Sequence, residues 1–497
     1  MSYTNFKNHL QKIADVAYSI AVLSWDQETY MPEKGAEIRA QQISTLSGLH
    51  HKLYTDKELE VLLVNLINDN SLDEKQKKNV LLTKETFDKQ KKYSTEFVEL
   101  MSKTISNCFQ AWQTAKEKND FSIYAPELEK LLALKRQECE ILGYKEHPYD
   151  ALLNEYEKGI TTKEISQLFE QVKTELVPFV KKISEAKQVD DAFFFQHFDK
   201  DKQWDFGIDL LKQMGFDFSA GRQDKSSHPF TTSFSPNDVR LTTRIQENDL
   251  SEMIWSCIHE GGHGLYEQGL PINEYGMPLG EAISLGIHES QSRLWENNVG
   301  RSFPYWKNNI NLIKSYFPEQ LKNVSAEDFY FAMNKVTPSL IRTSADELTY
   351  HFHIMIRFEI EKALFENTIQ VKDLPAIWNE KYKNYLDIDV PSDAQGVLQD
   401  IHWSHGSFGY FPTYSIGSFY AAQFFAQAKK EINGLTHQIE KGELTHLLNW
   451  LRTKIHDHGR FYTSNELCMK ICGETLNVKY FMDYVKVKYC EIYKLTL

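Results

Sequence analysis

The chain has 497 residues, of which 41% are hydrophobic, and its 69 acidic and 56 basic residues give a formal net charge of −13. This length and apolar content allow a large buried core, so an intrinsically disordered chain is excluded. The negative charge repels phosphate backbones and anionic lipid headgroups. We therefore expect neither nucleic acid nor a membrane surface as a partner.

The N-terminal segment and the cysteines both favour a cytoplasmic protein. Met1 to Lys12 contains no long apolar stretch and no small-residue cleavage pattern, so we expect no signal peptide. No run of about 18 apolar residues occurs that could cross a bilayer. The six cysteines show no disulfide framework, which fits a reducing compartment. Cys468 and Cys472 would share a helix face, and we interpret them as packing residues.

Most of the sequence has helical periodicity, and its 23 glycines and 14 prolines are too few for a chain built from many turns. We predict an all-α, mainly helical fold with one small β element. No repeat and no low-complexity linker interrupts it, so we expect one domain over 1–497, with a helical lobe at about 1–202 and a core at about 203–497 that share one cleft. The helices predicted for the lobe are Phe6–Leu23, Gly35–Leu53, Asp73–Gln90, Ser94–Lys118, Ala125–Leu142 and Thr162–Ala186.

One segment departs from the helical pattern. Phe230–Phe234 and Val239–Ile245 alternate and are rich in β-branched residues, and Ser235–Asp238 between them has good turn chemistry. These features predict a β-hairpin. Asn248 or Asp249 can then cap a helix that follows directly.

That helix, predicted from Leu250 to about Gln268, contains His259-Glu260-Gly-Gly-His263. Positions four apart lie about 40° from each other around a helix axis, so both imidazoles can bind one cation. Glu260 lies about 100° from His259, close enough to reach a metal-bound water without being a ligand. Neutral imidazoles suit Zn²⁺, and a free carboxylate suits proton transfer from the water. The two glycines indicate that another backbone or a substrate approaches closely.

A catalytic zinc site needs a third protein ligand and an open position. The next helical stretch, about Gly280 to Asn297, contains His288-Glu289-Ser-Gln. Two antiparallel helices could bring Glu289 against the histidine pair. His288 and Glu296 compete for this role, and a solvated surface pair is the structural alternative for His288 and Glu289. Spacing alone leaves the choice open.

Six signatures, in this order along the chain, resemble the carboxypeptidase Taq family of zinc metallocarboxypeptidases. The resemblance covers nearly the whole chain, and Trp25–Thr29 with Met31-Pro32 is similar as well. No signature departs from the family pattern. The six are His228-Pro-Phe230, Asp238-Val-Arg240-Leu-Thr242, His259-Glu260-Gly-Gly-His263, His288-Glu289-Ser-Gln291, Ile341-Arg342-Thr-Ser-Ala345-Asp346 and Gly396-Val-Leu-Gln399-Asp400-Ile-His402-Trp403.

The resemblance implies a mostly helical, zincin-like fold with a deep cleft, usually a homodimer, and broad removal of C-terminal residues from peptides. It implies one divalent metal per subunit, with His259, His263 and Glu289 as ligands and Glu260 as general base. Zn²⁺ is the expected ion. Histidine and carboxylate ligands also accept Co²⁺ or Mn²⁺.

An enzyme that acts at a free C-terminus must bind a carboxylate, and the planar fork of arginine suits that task. Arg342 is the first candidate and Arg240 the second. The structural alternative for each is an ion pair with the aspartate of its own signature, Asp346 or Asp238.

Further candidates lie in the aromatic segment from His402 to Tyr414, whose glycines and proline predict a loop that lines a pocket. Such side chains can donate hydrogen bonds to a tetrahedral intermediate or to the substrate carboxylate. The candidate substrate-binding residues besides the two arginines are His228, His402, His405, Tyr410 and Tyr414. Asp238, Asp346 and Asp400 suit a position behind a ligand, where each would fix an imidazole tautomer.

The predicted reaction is hydrolysis of the last peptide bond by a metal-activated water, with Glu260 accepting its proton and passing it to the leaving amine. The hairpin could hold an extended substrate by strand-like hydrogen bonds. Two alternatives remain, a metal-dependent oligopeptidase that cuts internally and a non-catalytic zinc-bearing peptide-binding protein. Glu260 argues against the second, because a structural zinc site needs no base beside an open position.

Overall fold

Helices dominate the structure, a computed structural model that describes residues 2–496. With one small sheet beside them, they confirm the predicted mainly helical fold. The α-helices are, in chain order, α1 (Tyr3–Thr29), α2 (Ala36–Tyr54), α3 (Lys57–Leu66), α4 (Glu74–Gln90), α5 (Thr95–Lys118), α6 (Ala125–Leu142), α7 (Pro148–Tyr156), α8 (Thr162–Glu185), α9 (Lys200–Met214), α10 (Leu250–Glu267), α11 (Leu285–Arg293), α12 (Phe303–Tyr316), α13 (Ala326–Met333), α14 (Tyr350–Phe365), α15 (Leu374–Leu386), α16 (Pro412–Glu431), α17 (Leu435–Glu440), α18 (Thr445–Lys454), α19 (Ser464–Cys472) and α20 (Lys479–Tyr493).

All six helices predicted for the first 202 residues are present, and α6 has the predicted bounds. The first is longer than predicted because Ser2 caps its start and Trp25 is buried near its end. Two short helices, α3 and α7, were not predicted. Both are capped by side chains just before them, Asp56 and His147.

The contacts of the chain define two compact units, each assembled from three separate stretches. The first contains the described residues up to Gln90 with Asp190–Met333 and Tyr420–Leu476. The second contains Lys91–Val189, Asn334–Phe419 and the described residues from Asn477 onward. The predicted single domain, with a boundary near residue 202 and a shared cleft, stays a prediction.

The sheet belongs to the first unit and has the strand order β1-β3-β2. Strands β2 (Thr231–Ser235) and β3 (Asp238–Thr243) are antiparallel and form the predicted hairpin. Strand β1 (Gly221–Lys225) pairs with β3 in parallel and was not predicted. Its sequence, Gly-Arg-Gln-Asp-Lys, has no β-branched residue, so only pairing with β3 makes it a strand.

Helix α10 follows the sheet and is capped by Asp249, one of the two predicted caps. The next helix departs from the prediction of a continuous stretch from Gly280 to Asn297. Helix α11 begins only at Leu285, because the Oγ of Ser284 accepts a hydrogen bond from the backbone N–H of Ile287 at 3.0 Å. The helical path then continues as a π-helical segment, Leu294–Gly300. π-Helical segments are rare in proteins, and those that are found often lie at functional sites.

The aromatic segment from His402 to Tyr414 is only partly a loop, which corrects the prediction. His402–His405 forms a 3-10 turn, and α16 begins at Pro412. A proline at a helix start loses no intrahelical hydrogen bond, so it begins a helix here instead of preventing one.

Two further findings concern the helices and the cysteines within residues 2–496. No described helix is both long enough and apolar enough to cross a membrane. The six cysteines are all free, and four of them, Cys108, Cys139, Cys257 and Cys468, are buried.

Candidate metal centre and active site

Two imidazoles and one carboxylate converge between α10 and α11. The Nε2 atoms of His259 and His263 lie 3.6 and 3.4 Å from Oε2 of Glu289, respectively. The three candidate ligand atoms lie within 4.8 Å of one another, and no other such group occurs in residues 2–496. Donor atoms about 2.0–2.1 Å from a tetrahedral zinc ion stand about 3.3–3.4 Å apart. The three residues, called the metal group below, therefore fit a divalent cation.

Glycine at position 262 allows α10 and α11 to approach closely enough for this convergence. A Cβ atom on Gly262 would lie 2.6 Å from the Cα of Ser292 and 2.8 Å from the carbonyl oxygen of Gln291. No larger residue fits against backbone at that distance. The expectation of a close backbone approach is confirmed for Gly262, whereas Gly261 packs against the side chains of Leu211 and Met214.

Behind His259 lies Glu296, one of the two competitors for the third ligand position. Its Oε2 is 2.8 Å from Nδ1 of His259. The other ring nitrogen of His259, Nε2, is the one that faces Glu289 in the metal group. Arg293 and Arg301 each donate to Glu296 at 3.1 Å. Burial opposes its charge, but Arg293 and His259 hold the pKa of Glu296 well below its usual range. A charged carboxylate thus fixes the orientation of His259.

Behind His263 lies His288, the other competitor. The two Nδ1 atoms are 2.6 Å apart, and Nε2 of His288 is 2.8 Å from Oε1 of Glu267. The hydroxyl of Ser233 on β2 donates to Oε2 of the same glutamate at 2.5 Å. The sequence reasoning missed Glu267 and Ser233, although Glu267 stands four residues after His263 and therefore on the same helix face.

The two carboxylate oxygens of Glu289 contact different partners. Oε1 accepts a hydrogen bond from Nε of Arg293 at 2.7 Å, while Oε2 faces the two imidazoles. Burial disfavours its charge, but Arg293 and His259 hold the pKa of Glu289 well below its usual range. It is therefore ionised and able to bind a cation at neutral pH.

Glu260 is buried beside the metal group without belonging to it. Its Oε2 accepts a hydrogen bond from the hydroxyl of Thr231 at 2.6 Å. Thr231 and Ser233 are two residues apart on β2, so their side chains share one face of the strand. The hydroxyls on that face donate hydrogen bonds to two glutamates of α10, Glu260 and Glu267. The hydroxyl side chains two residues apart on β2, Thr231 and Ser233, were the available signal for this contact.

Arg240 is bound to the aspartate of its own signature, which was the structural alternative. Its Nε and Nη2 donate to the two carboxylate oxygens of Asp238 at 2.9 and 3.0 Å. Its guanidinium carbon lies 4.3 and 4.8 Å from the ring centroids of Trp25 and Phe234. His228, in the preceding signature, has an exposed side chain.

In the second unit, Arg342 and Arg357 share the carboxylate of Asp400; these three residues are the arginine cluster. Nε of Arg342 is 3.1 Å from Oδ1 of Asp400, and Nε of Arg357 is 2.6 Å from Oδ2. Arg342 also donates to the hydroxyl of Tyr350 at 3.3 Å. Burial opposes ionisation, but the two arginines hold the pKa of Asp400 well below its usual range.

The three aspartates predicted to stand behind ligand imidazoles have other partners. Asp346 accepts hydrogen bonds from backbone N–H groups just before α14, at 2.9 and 3.0 Å. Asp238 binds the arginine two residues later, and Asp400 lies in the arginine cluster. The ligand imidazoles are bound instead by Glu296 and His288. That prediction is corrected, because a glutamate and a histidine that lie closer to the ligands in space occupy those positions.

The aromatic segment places three of its four candidates near Arg342. The guanidinium carbon of Arg342 is 4.9 Å from the ring centroid of Tyr414, whose hydroxyl is 3.4 Å from Nε2 of His402. The rings of Tyr410 and Tyr414 are 5.2 Å apart. Burial lowers the pKa of His402 to about 4, which leaves it neutral at neutral pH. His405 differs from these three because it is exposed.

A helical fold with two histidines one helix turn apart, a glutamate from the next helix and a second, uncoordinated glutamate defines a metallopeptidase. A family model described as carboxypeptidase Taq (M32) metallopeptidase matches residues 5–489. The chain belongs to this family. It is therefore a metallocarboxypeptidase, a peptide-bond hydrolase that uses a divalent metal. The family favours this prediction over both alternatives, the oligopeptidase and the non-catalytic protein.

Similar proteins agree with this membership over their full lengths. Carboxypeptidase 1 of Bacillus subtilis (strain 168) is 40% identical, with 99% of this chain and 98% of the relative covered. Thermostable carboxypeptidase 1 of Thermus thermophilus is 37% identical, with 99% of each covered. Among solved structures, the M32 carboxypeptidase from Deinococcus radiodurans R1 has a TM-score of 0.98 at 38% identity, again with 99% of each chain covered.

Proposed function

We propose that this enzyme removes single residues, with broad side-chain specificity, from the free C-termini of peptides, using one Zn²⁺ bound by His259, His263 and Glu289. The convergence of their three ligand atoms beside the uncoordinated Glu260 carries the proposal. When bound, the cation supplies Lewis-acid chemistry that lowers the pKa of water and polarises a carbonyl group. Co²⁺ or Mn²⁺ is accepted by the same ligand types.

Glu260 acts as the general base. Its Oε2 is engaged by the hydroxyl of Thr231, so we assign proton transfer to Oε1. Oε1 takes a proton from the attacking water and returns it to the amine nitrogen as the peptide bond breaks. The hydrogen bond from Thr231 fixes the plane of the carboxylate, which keeps Oε1 in one direction throughout the reaction.

Arg342 binds the C-terminal carboxylate of the peptide. Two guanidinium groups face one carboxylate in the arginine cluster, which leaves one positive charge in excess in a buried position. An uncompensated buried charge is costly, so a bound carboxylate is favoured there. His402, Tyr410 and Tyr414 stand beside Arg342 as hydrogen-bond donors for the carboxylate or the oxyanion, His402 in its neutral form.

The other substrate-binding candidates have less support. Arg240 already donates two hydrogen bonds to Asp238, through Nε and Nη2, and His228 and His405 are exposed. Strand β2 lies at an edge of the sheet beside α10, and we propose that an extended peptide pairs with it. We also propose a homodimer, on the family resemblance, and a cytoplasmic location, which the six free cysteines support.

The test is metal analysis of the purified chain with mass-spectrometric reading of products from one peptide in two forms, free acid and amide. We expect one divalent ion per chain, and a ladder of products from the free acid alone. Equal cleavage of the two forms supports the oligopeptidase and contradicts the role of Arg342. Stoichiometric metal without cleavage of either form supports the non-catalytic alternative.

Glu260→Gln tests the base directly. The substitution keeps the size and the acceptor for Thr231 but removes the proton acceptor, so we expect kcat to fall about 10³- to 10⁴-fold with metal content unchanged. Turnover equal to that of the unaltered enzyme contradicts the assignment. Loss of metal would place Glu260 among the ligands instead.

A further inference from the structure

The two ligand imidazoles are oriented by different kinds of partner. His259 meets a carboxylate directly, with its Nδ1 atom 2.8 Å from Oε2 of Glu296. His263 meets a second imidazole, and His288 then meets the carboxylate of Glu267. A direct contact of the first kind is the usual arrangement behind a metal ligand. The imidazole of His288, which lies between His263 and the carboxylate of Glu267, therefore requires a separate explanation.

The short distance between the two rings fixes where their protons lie. Nε2 of His263 belongs to the metal group and must keep its lone pair for the cation, so the proton of this neutral ring is on Nδ1. Only one hydrogen fits between two Nδ1 atoms 2.6 Å apart. The Nδ1 of His288 therefore accepts. A neutral His288 then carries its proton on Nε2, which donates to Glu267 at 2.8 Å.

The far end of this chain of hydrogen bonds is anchored on the sheet. Ser233 donates to Oε2 of Glu267 at 2.5 Å, from the same face of β2 that carries Thr231 and holds Glu260. One strand face thus sets the position of the general base and also the last acceptor behind a ligand. The first ligand, His259, is instead held from the π-helical segment through Glu296.

We propose that His288 is a positioning residue that holds His263 in the tautomer and orientation needed to bind the metal, by relaying its hydrogen bond to Glu267 and Ser233. This inference rests on the proposed metal site. His263 donates a hydrogen bond to His288, and His288 donates one to Glu267. Ser233 also donates to Glu267, through the other carboxylate oxygen. His288 contacts neither the metal nor the substrate in this role.

The test compares His288→Leu with His288→Asn, two side chains of nearly the same shape. Leucine leaves the Nδ1–H of His263 without an acceptor, whereas the Oδ1 of asparagine can replace it. We expect the Zn²⁺ dissociation constant, measured by competition with a chromophoric chelator, to rise about 10- to 100-fold for the leucine variant. The asparagine variant should bind Zn²⁺ more tightly than the leucine variant. The visible spectrum of the Co²⁺-loaded variants should follow the same order.

Equal Zn²⁺ affinities for the two variants, or an unchanged affinity in His288→Leu, overturn the relay. Ser233→Ala provides a milder variant in case both substitutions at His288 prevent folding, with an expected affinity loss of about threefold. Ser235→Ala is the matched control and should not change affinity, because Ser235 lies on the same strand but its hydroxyl oxygen accepts a hydrogen bond from the backbone N–H of Asn237 instead of contacting Glu267. An unchanged affinity in Ser233→Ala overturns the anchoring on β2.

Failure of the proposed function gives a different result. If the unaltered chain binds no stoichiometric Zn²⁺, the metal site itself is wrong. If the unaltered chain binds Zn²⁺ and cleaves the free-acid peptide while His288→Leu retains full affinity, the enzyme assignment stands and only the relay is overturned.

Discussion

The metal group comes entirely from the sequence signatures, whereas the arginine cluster takes Arg342 and Asp400 from them and adds Arg357 from α14. The two groups differ in the charge that they leave uncompensated. In the metal group, lone pairs of two imidazoles and one carboxylate oxygen point at one another, and the nearest cation, Arg293, is on the far oxygen of Glu289. In the arginine cluster, two guanidinium groups share one carboxylate. The first arrangement is stabilised by a bound cation and the second by a bound anion. This difference supports the proposal that the first site binds a cation and the second a carboxylate.

Among the changes that test this comparison of the two sites, the largest effect is expected from removing the excess charge with Arg342→Met. Asp400 keeps Arg357 as its partner, so the variant should fold, but the guanidinium group proposed to bind the peptide carboxylate is removed. We expect kcat/KM for a free-acid peptide to fall about 10²- to 10³-fold, mainly through KM, with Zn²⁺ affinity unchanged. The measurement is steady-state kinetics on the Zn²⁺-loaded variant.

Arg240→Met is the matched comparison. Because Arg240 is engaged by Asp238 through two hydrogen bonds, its replacement should change KM for the same peptide far less. A larger rise in KM for Arg240→Met than for Arg342→Met would assign the carboxylate contact to Arg240. It would also remove the charge argument for the arginine cluster.

The two sites differ in how much of them the sequence could predict. Four residues of separation on one helix place His259 and His263 on one face, so local geometry was enough. The structural alternative for Arg342 was an ion pair with Asp346, four residues away, but the carboxylate that it contacts is Asp400, 58 positions later in the chain. That pairing depends on how α14 and the aromatic segment pack, which no local pattern reports. The same limit hid Ser233 and strand β1, whose positions are set by neighbours in space.

A smaller effect is expected from forcing the helices of the metal group apart with Gly262→Ala. The added Cβ would clash with backbone atoms of Ser292 and Gln291. Backbone atoms cannot rotate away as a side chain could. We expect the free energy of unfolding to fall by about 3 kcal/mol and the Zn²⁺ affinity to fall with it. Denaturant unfolding and chelator competition measure the two losses.

The control is Gly48→Ala on α2, where an added Cβ has no atom within 4 Å. Alanine there should raise the free energy of unfolding by up to about 1 kcal/mol, because alanine has a higher helix propensity than glycine and its Cβ causes no steric clash. If Gly262→Ala proves as stable as the unaltered enzyme, the close approach of α10 and α11 is not what holds Glu289 against the histidines.

The smallest expected effect concerns the carboxylates themselves. Glu289, with cations around it, has a lowered pKa, whereas Glu361 is bound by the neutral donors Tyr149, Trp403 and the backbone N–H of Gly409. Burial raises the pKa of Glu361 to about 7, and these hydrogen bonds offset only part of that rise. A group whose pKa is raised by folding stabilises the protein below its unfolded pKa. That contribution is lost as the pH rises through about 7.

The enzyme should therefore lose about 2 kcal/mol of unfolding free energy at Glu361 between about pH 5 and about pH 8. Glu361→Gln cannot ionise, so its unfolding free energy should change less with pH across this window, although its value at low pH is reduced by the altered hydrogen bonds. The loss of stability in acid, where Glu289 is protonated, should be the same in both proteins. Parallel curves from about pH 5 to about pH 8 would mean that Glu361 is charged throughout this range, and that its neutral donors stabilise a carboxylate as well as the arginines stabilise Glu289.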